Sequence, residues 1–364
     1  MTTNGHSAKR ASRFIAAATV IGGALYRLAC VSGWAADDAA PSDASAHADS
    51  APPRGPSPRP DAGNATADSV CVDDESPPIA MPGDQPAVAA TDAGLRLWYT
   101  GWSANSGVVF TSSSTDGRSW LFDDECTFGG RRIADMLTPD VTATSTGYLM
   151  YSLHRFLADD HDGGSAYHLA LARATSANGI AWSAPVDVLP ELTSGWDRIP
   201  GEPSIVTLPN GSQRLYYAAR EEQRGVSAIG FASSEDGVTW TRHGEPVLVH
   251  GAAREFDELA VSGPSVVHDG KRFVMFYRGE RAAPADSGGR TVTLTFGVAV
   301  SDDGVAWTRV PSSSLAVAEG SWTGAPVARR AGGRFSVWYM SLADRRGAHA
   351  DEPPSIRRAF CTVP

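Results

Sequence analysis

The sequence predicts an all-β chain: a five-bladed β-propeller of four-stranded antiparallel blades, preceded by an export signal and a disordered linker. Two repeats and one absence lead there. First, Asp116-Gly117, Asn178-Gly179, Asp236-Gly237 and Asp303-Gly304 are each followed by a tryptophan (Trp120, Trp182, Trp240, Trp307) four residues after the Asp or Asn. Asp-Gly and Asn-Gly between β-forming runs are strong hairpin signals, because a type I′ turn needs φ > 0 at both central residues. Second, Pro86, Pro139, Pro203, Pro264 and Pro326 recur at intervals of 53, 64, 61 and 62 residues, and Tyr99, Tyr151, Tyr217, Tyr277 and Tyr339 follow them by 12 to 14 residues. Third, no amphipathic stretch of helical length separates the apolar runs, which excludes a parallel α/β arrangement.

Each unit therefore reads strand, turn, strand, variable loop, strand, Asp-Gly turn, strand. The first turn is visible as Asn210-Gly211 or His268-Asp269-Gly270. Four antiparallel strands repeated at this period are propeller blades. The fifth unit lacks the Asp-Gly-x-x-Trp element and ends at Ile356 to Cys361. A closed ring needs an outer strand there, and residues near Val70 to Val72 are expected to supply it. That pairing would bring Cys71 close to Cys361. The other cysteines are Cys30 and Cys126, and the spacing of the four does not suit a metal cluster. An oxidising compartment permits one bridge, for which Cys71–Cys361 is favoured because it ties the two ends of the ring.

The organisation expected is residues 1–35 as export signal, 36–69 as linker and 70–364 as propeller. Lys9, Arg10 and Arg13 form a basic start, and Phe14 to Tyr26 is an uncharged, mainly apolar run too short to span a bilayer. Gly33-Trp34-Ala35 offers a cleavage site, whereas Leu28-Ala29-Cys30 resembles the end of a lipobox; both readings stand. The product would be secreted, periplasmic or lipid-anchored through Cys30. The Ala/Asp/Ser/Pro-rich linker cannot bury enough apolar surface to offset its ordering entropy. The net charge of −10 and the absence of a basic face argue against nucleic acid as a partner. A monomer is expected.

In a propeller blade the first strand lines the central channel. Residues before each proline and after each tyrosine therefore gather at one mouth. That inventory includes Asp84, Asp140, Trp196, Asp197, Arg198, Glu202, Asp257, Glu258 and Trp322, with Trp102, His154, Arg155, Arg220, Glu221, Arg278 and Glu280 behind the tyrosines. Carboxylates, arginines and exposed tryptophans together suit a sugar: indole faces stack on its C–H surfaces, and charged groups bond its hydroxyls. Two carboxylates flanking a glycosidic bond are the minimum for hydrolysis.

Leu137-Thr138-Pro139-Asp140-Val141, followed by Gly147-Tyr148-Leu149-Met150-Tyr151-Ser152, resembles the second blade of glycoside hydrolase family 43, of the five-bladed superfamily that also holds invertases and levansucrases. The resemblance implies that Asp140 tunes the acid and orients substrate, that Glu202 in Gly201-Glu202-Pro203 is the general acid, and that Asp84 is the general base. Two departures accompany it. The family has Glu-Gly-Pro where this chain has Gly-Glu-Pro, and Asp directly before proline where Gln85 looks like an insertion. The implied chemistry is inverting hydrolysis of arabinose- or xylose-containing glycans, with Trp102, His154, Trp196, Arg198, Arg220, Arg278 and Trp322 as substrate-binding candidates. No histidine matches the one that helps hold an ion in relatives, so no metal or other cofactor is predicted. The rival expectation is a carbohydrate-binding propeller without catalysis.

Overall fold

The computed structural model describes residues 70–74, 83–103, 106–133, 135–159, 165–222, 225–283, 291–311, 314–315, 322–342 and 355–363. The expected export signal and the whole of the linker lie outside these. The described residues form strands and no helix.

After a short strand β1 (Val70–Asp73), the first repeat comprises β2 (Gly83–Thr91), β3 (Gly94–Ser103), β4 (Ser106–Ser114) and β5 (Leu121–Glu125), followed by the two-residue β6 (Thr127–Phe128). The second comprises β7 (Met136–Thr144), β8 (Gly147–Asp159), β9 (Ser165–Ser176), the short β10 (Ala181–Trp182) and β11 (Val186–Pro190). The third holds β12 (Ile199–Thr207), β13 (Gln213–Arg220), β14 (Ala228–Ser234) and β15 (Thr241–Arg242). The fourth holds β16 (Ala260–His268), β17 (Phe273–Ala283), β18 (Thr291–Ser301) and β19 (Thr308–Arg309). The short β20 (Trp322–Thr323) leads to the fifth: β21 (Val327–Ala331), β22 (Arg334–Leu342) and β23 (Ser355–Thr362).

The first three repeats are separate four-stranded antiparallel sheets, and β6 and β10 pair in parallel between the first two. The last two repeats share one nine-stranded sheet, because β20 pairs with both β18 and β22. β1 closes the outer edge of the fifth repeat by pairing antiparallel with β23, Cys71 opposite Cys361. These cysteines form the disulfide. Both expectations, the outer strand from Val70 to Val72 and the Cys71–Cys361 bridge, are met.

The Asp-Gly hairpins differ from the type I′ expectation. Only the glycines (Gly117, Gly179, Gly237 and Gly304) have φ > 0. The Asp or Asn is relieved of that requirement because its side-chain oxygen accepts the N–H groups two and three residues on, as Asp236 does from Val238 and Thr239. Those donors, that of Thr239 foremost, hold the Asp236 carboxyl down at about 2. A serine two residues earlier bonds the glycine N–H, at 2.8 Å for Ser234 and Gly237.

The turns also lock neighbouring repeats. Trp98 donates to the Gly179 carbonyl (2.7 Å), Tyr151 to that of Gly237 (3.0 Å) and Tyr216 to that of Gly304 (2.8 Å). A Cβ on Gly304 would sit 2.5 Å from the Tyr216 hydroxyl, so glycine is required there for space as well as for φ.

The core lies between sheets, for example Val206, Tyr216, Ile229 and Phe231 against Val261, Val266 and Met275. One close contact beside it gives a test. Gly297 faces Phe256, and an added Cβ would meet the ring at 2.2 Å. Gly297→Ala is expected to cost about 1–3 kcal/mol by overpacking. The thermal midpoint should fall by roughly 2–6 °C, and fall less in the Phe256→Leu background.

Candidate functional site

The five prolines meet around one hollow. Gln85, Thr138, Glu202, Gly263 and Ala325, each immediately before its proline, line it together with Asp140, Ser204 and Ser265. Its volume is about 30 Å³, enough to hold water. In four of the repeats the residue before proline breaks the strand in the same way. Gln85, Thr138, Glu202 and Gly263 have φ of 53°, 52°, 45° and 54°, and the ladder register slips across each of these positions. Such bulges re-aim a side chain; here they turn it toward the shared axis.

Glu202 is the ionisable one of these five residues. Its Oε1 accepts from the Gln85 side-chain amide (2.8 Å) and from Nη2 of Arg278 (2.9 Å), and its Oε2 accepts from the Gly263 N–H (2.7 Å). Arg278 is 5 % exposed and is fixed in turn by the Ser262 hydroxyl, which accepts from Nε at 2.9 Å. Arg220 lies within electrostatic reach. Burial lowers its guanidinium below the ordinary arginine value, Glu202 opposes the shift and Arg278 adds to it.

Asp140 lines the same hollow from the position after proline. Its Oδ2 accepts the Ile205 N–H at 2.7 Å. Ser204 and Ser265 occupy the equivalent places and accept the N–H groups of Val266 and Ala328, each at 2.9 Å. Asp140 thus belongs to a series of bolts between inner strands. Its Oδ1 lies 3.6 Å from Nη2 of Arg329, a residue that also donates to the backbone carbonyls of Val88 (2.5 Å) and Val141 (3.0 Å). Burial pushes the Asp140 carboxyl up, opposed by Arg329 and by the Ile205 N–H.

The other candidates are distributed as follows. His154 Nδ1 is 2.9 Å from Asp187. Trp196 donates to the Gly244 carbonyl at 2.9 Å, Arg198 to that of Glu221 at 3.4 Å and Trp322 to that of Val292 at 3.0 Å. None of these four lines the hollow. Asp84 stands opposite Thr100 in the β2–β3 ladder and Trp102 lies in β3; their side chains fall outside the described residues. Among the described residues no three His, Cys, Asp or Glu side chains converge to hold a metal ion.

Two features escaped sequence reasoning. Gln85, which looks like an insertion, occupies in the first repeat the place Glu202 occupies in the third. Asp197 and Asp257, counted with the mouth carboxylates, are tied up in a repeated triad. Asp197 Oδ2 accepts from Tyr217 (3.0 Å) and Arg242 (2.8 Å), and Asp257 Oδ2 from Tyr277 (2.9 Å) and Arg309 (2.9 Å). The signal was present: each Asp precedes its tyrosine by 20 residues, and Trp-Thr-Arg recurs at Trp240 to Arg242 and Trp307 to Arg309.

No family model matches this sequence, and no curated protein is significantly similar to it. Solved structures are similar in fold. A thermostable family-43 glycoside hydrolase superposes with a TM-score of 0.55 at 17% identity, covering 78% of this chain and 90% of that one. The fold is that of the family-43-like propeller hydrolases. Native Bacillus subtilis arabinanase gives 0.51 at 13% identity, covering 79% and 95%. The α-L-arabinanase of Cellvibrio cellulosa complexed with arabinohexaose gives 0.50 at 13%, covering 76% and 91%. The family-43-like fold is thereby shared, while the side chains that would do chemistry have to be judged from their own geometry.

Proposed function

We propose that this chain is an exported, five-bladed, family-43-like glycoside hydrolase acting on arabinose- or xylose-containing glycans, with Glu202 as acid and Asp84 as base. The observation that carries the reading is the presentation of Glu202. A left-handed bulge turns this carboxyl into the axial hollow, and three donors from other strands fix it. Oε1 is taken by two donors, one of them a guanidinium that has no acceptor of its own. Oε2 is taken by one, so it is the oxygen with room for a transferable proton. Donation to the leaving oxygen from one side and removal of a proton from water by Asp84 on the other would invert the anomeric centre, which requires carboxyl groups roughly 6.5–9.5 Å apart.

The second reading, carbohydrate binding without turnover, is favoured by Gln85. The side chain that meets Glu202 across the hollow is an amide, which cannot take the proton of an attacking water.

Hydrolysis of aryl-arabinosides, aryl-xylosides and the corresponding polysaccharides tests the two. Linear release by the wild type, reduced about a hundredfold or more in Glu202→Gln, supports the hydrolase. Binding of these glycans with no release in the wild type establishes the second reading instead. Retention of anomeric configuration in the first product would remove Asp84 from the role of base. Processing of residues 1–35, read by mass spectrometry of the exported protein, separates cleavage after Ala35 from lipid attachment at Cys30.

A further inference from the structure

We infer that Tyr167, braced by Arg155 and Asp135, is a distal sugar-stacking subsite that selects glycans long enough to reach it from the axial hollow. The inference rests on the glycan-directed reading above and adds a chain-length preference to it. β8 and β9 run past the end of β7. Met136, the first residue of β7, pairs with His154, whereas the β8–β9 ladder continues through Leu157 opposite Tyr167. The projecting ribbon carries Tyr167 at 62% exposure and its cross-strand neighbour Leu157 at 61%. The other described tyrosines are buried or partly buried.

Exposure alone would mean little, since single apolar side chains on a surface are ordinary. The bracing distinguishes this one. The Arg155 guanidinium lies over the Tyr167 ring, 4.9 Å from its centroid. Nη2 of Arg155 is held at 2.8 Å by Asp135, and the Arg155 N–H donates to the Asp135 carbonyl at 3.0 Å. Asp135 itself has φ of 68° and immediately precedes β7. One face of the ring is thus occupied by a fixed cation, and the ring is orientated before any ligand arrives. A pre-ordered aromatic plate with a hydroxyl at its edge and charged groups beside it is suited to the C–H face and hydroxyl rim of a sugar.

The placement supplies the occupant. Alternate residues of a strand share a face, so Arg155 and Leu157 lie on the side of β8 that carries Tyr151. Tyr151 bonds Gln213 and Gly237 of the third repeat, the repeat that contributes Glu202. Asp135 is three residues upstream of Thr138, which lines the hollow, and the plate is two residues further out along β8. At about 3.4 Å per residue the plate stands roughly 17 Å from the hollow along the strands. A linear glycan of several units bridges that distance and a disaccharide does not.

The test is calorimetric binding of linear arabino- and xylo-oligosaccharides, from disaccharide to hexasaccharide, to the full chain carrying Glu202→Gln, alone and with Tyr167→Ala or Tyr167→Phe. Hexasaccharide affinity should fall roughly three- to tenfold in Tyr167→Ala, disaccharide affinity should stay unchanged, and Tyr167→Phe should restore the long-chain advantage. Equal losses at all lengths, no loss at any length, or a Tyr167-dependent dimer by sedimentation overturns the subsite while leaving the glycan-directed reading in place. A parent protein that binds neither series overturns that reading, and the subsite with it.

Discussion

Replacing Cys71 and Cys361 by serine is expected to lower stability by about 5 kcal/mol, the upper end of what one disulfide contributes. The bond spans 290 residues of sequence, and the entropy it removes from the unfolded chain grows with the logarithm of that loop. For a fold of this size, about 5 kcal/mol corresponds to a fall in thermal midpoint of roughly 8 °C. The loss should begin locally. β1 has four residues and is paired on one side, to β23. Without the bond it is held by its ladder, by the Tyr339 hydroxyl donating to Asp73 at 2.8 Å and by Nε of Arg358 donating to Asp74 at 2.8 Å. Hydrogen exchange should therefore accelerate first in β1 and β23, at denaturant levels where the inner strands remain protected. Calorimetry of the double serine variant, and of the wild type with reductant, reads the effect. A midpoint within about 2 °C of the oxidised wild type, where about 8 °C is expected, would show that β1 is held on β23 by pairing alone.

The architecture was legible because its punctuation is local. An Asp-Gly or Asn-Gly pair specifies a turn through its own side chain and the freedom of glycine, wherever it falls in the fold. The recurrence of Pro86, Pro139, Pro203, Pro264 and Pro326 then gave the period. The pairing of β1 with β23 followed from counting strands: the fifth repeat was one short, and Val70 to Val72 were available. The site was less legible, for a reason that lies in the backbone. Reading which face a residue occupies assumes that side chains alternate along a strand. At Gln85, Thr138 and Glu202 the left-handed bulge cancels that alternation. Gln85 therefore looked like an extra residue beside Asp84, although it is the counterpart of Glu202. The tryptophans pose a different question. Trp196 and Trp322 have the composition of a sugar site, and their indole N–H groups bond the carbonyls of Gly244 and Val292. Which of two uses an indole serves is decided by residues distant in sequence. The triads of Asp197 and Asp257 were within reach, since their spacing repeats, but the partners of each aspartate, a tyrosine and an arginine, come from strands distant in sequence.

Asp257→Ala is expected to be the most damaging single side-chain truncation among these acidic residues, at about 3–4 kcal/mol. Asp257 is fully buried. Its Oδ2 receives Tyr277 and Arg309, both at 2.9 Å, and Arg309 also reaches the Val249 carbonyl. Burial, with the nearby Asp257 charge, pushes the Tyr277 hydroxyl well above the ordinary tyrosine value, so tyrosine remains the donor. Truncation leaves a guanidinium and a phenol facing a void, and the cost is mainly that of the stranded groups rather than of the lost attraction. Three comparisons follow from that physical cause. Asp257→Asn keeps an acceptor for Tyr277 and should cost less than Asp257→Ala. Adding Arg309→Met to Asp257→Ala should recover part of the loss, because it removes the unpaired charge. Asp73→Ala, which breaks the same triad at Tyr339 and Arg357, should cost about 1 kcal/mol or less, since the Asp73 side chain is 42% exposed and water can replace it. Urea unfolding of the four variants measures all of this. Equal losses in Asp257→Ala and Asp73→Ala would mean that burial does not set the strength of the triad, and a buried Asp–Tyr–Arg cluster could then no longer be held responsible for tying together the strands of its own repeat.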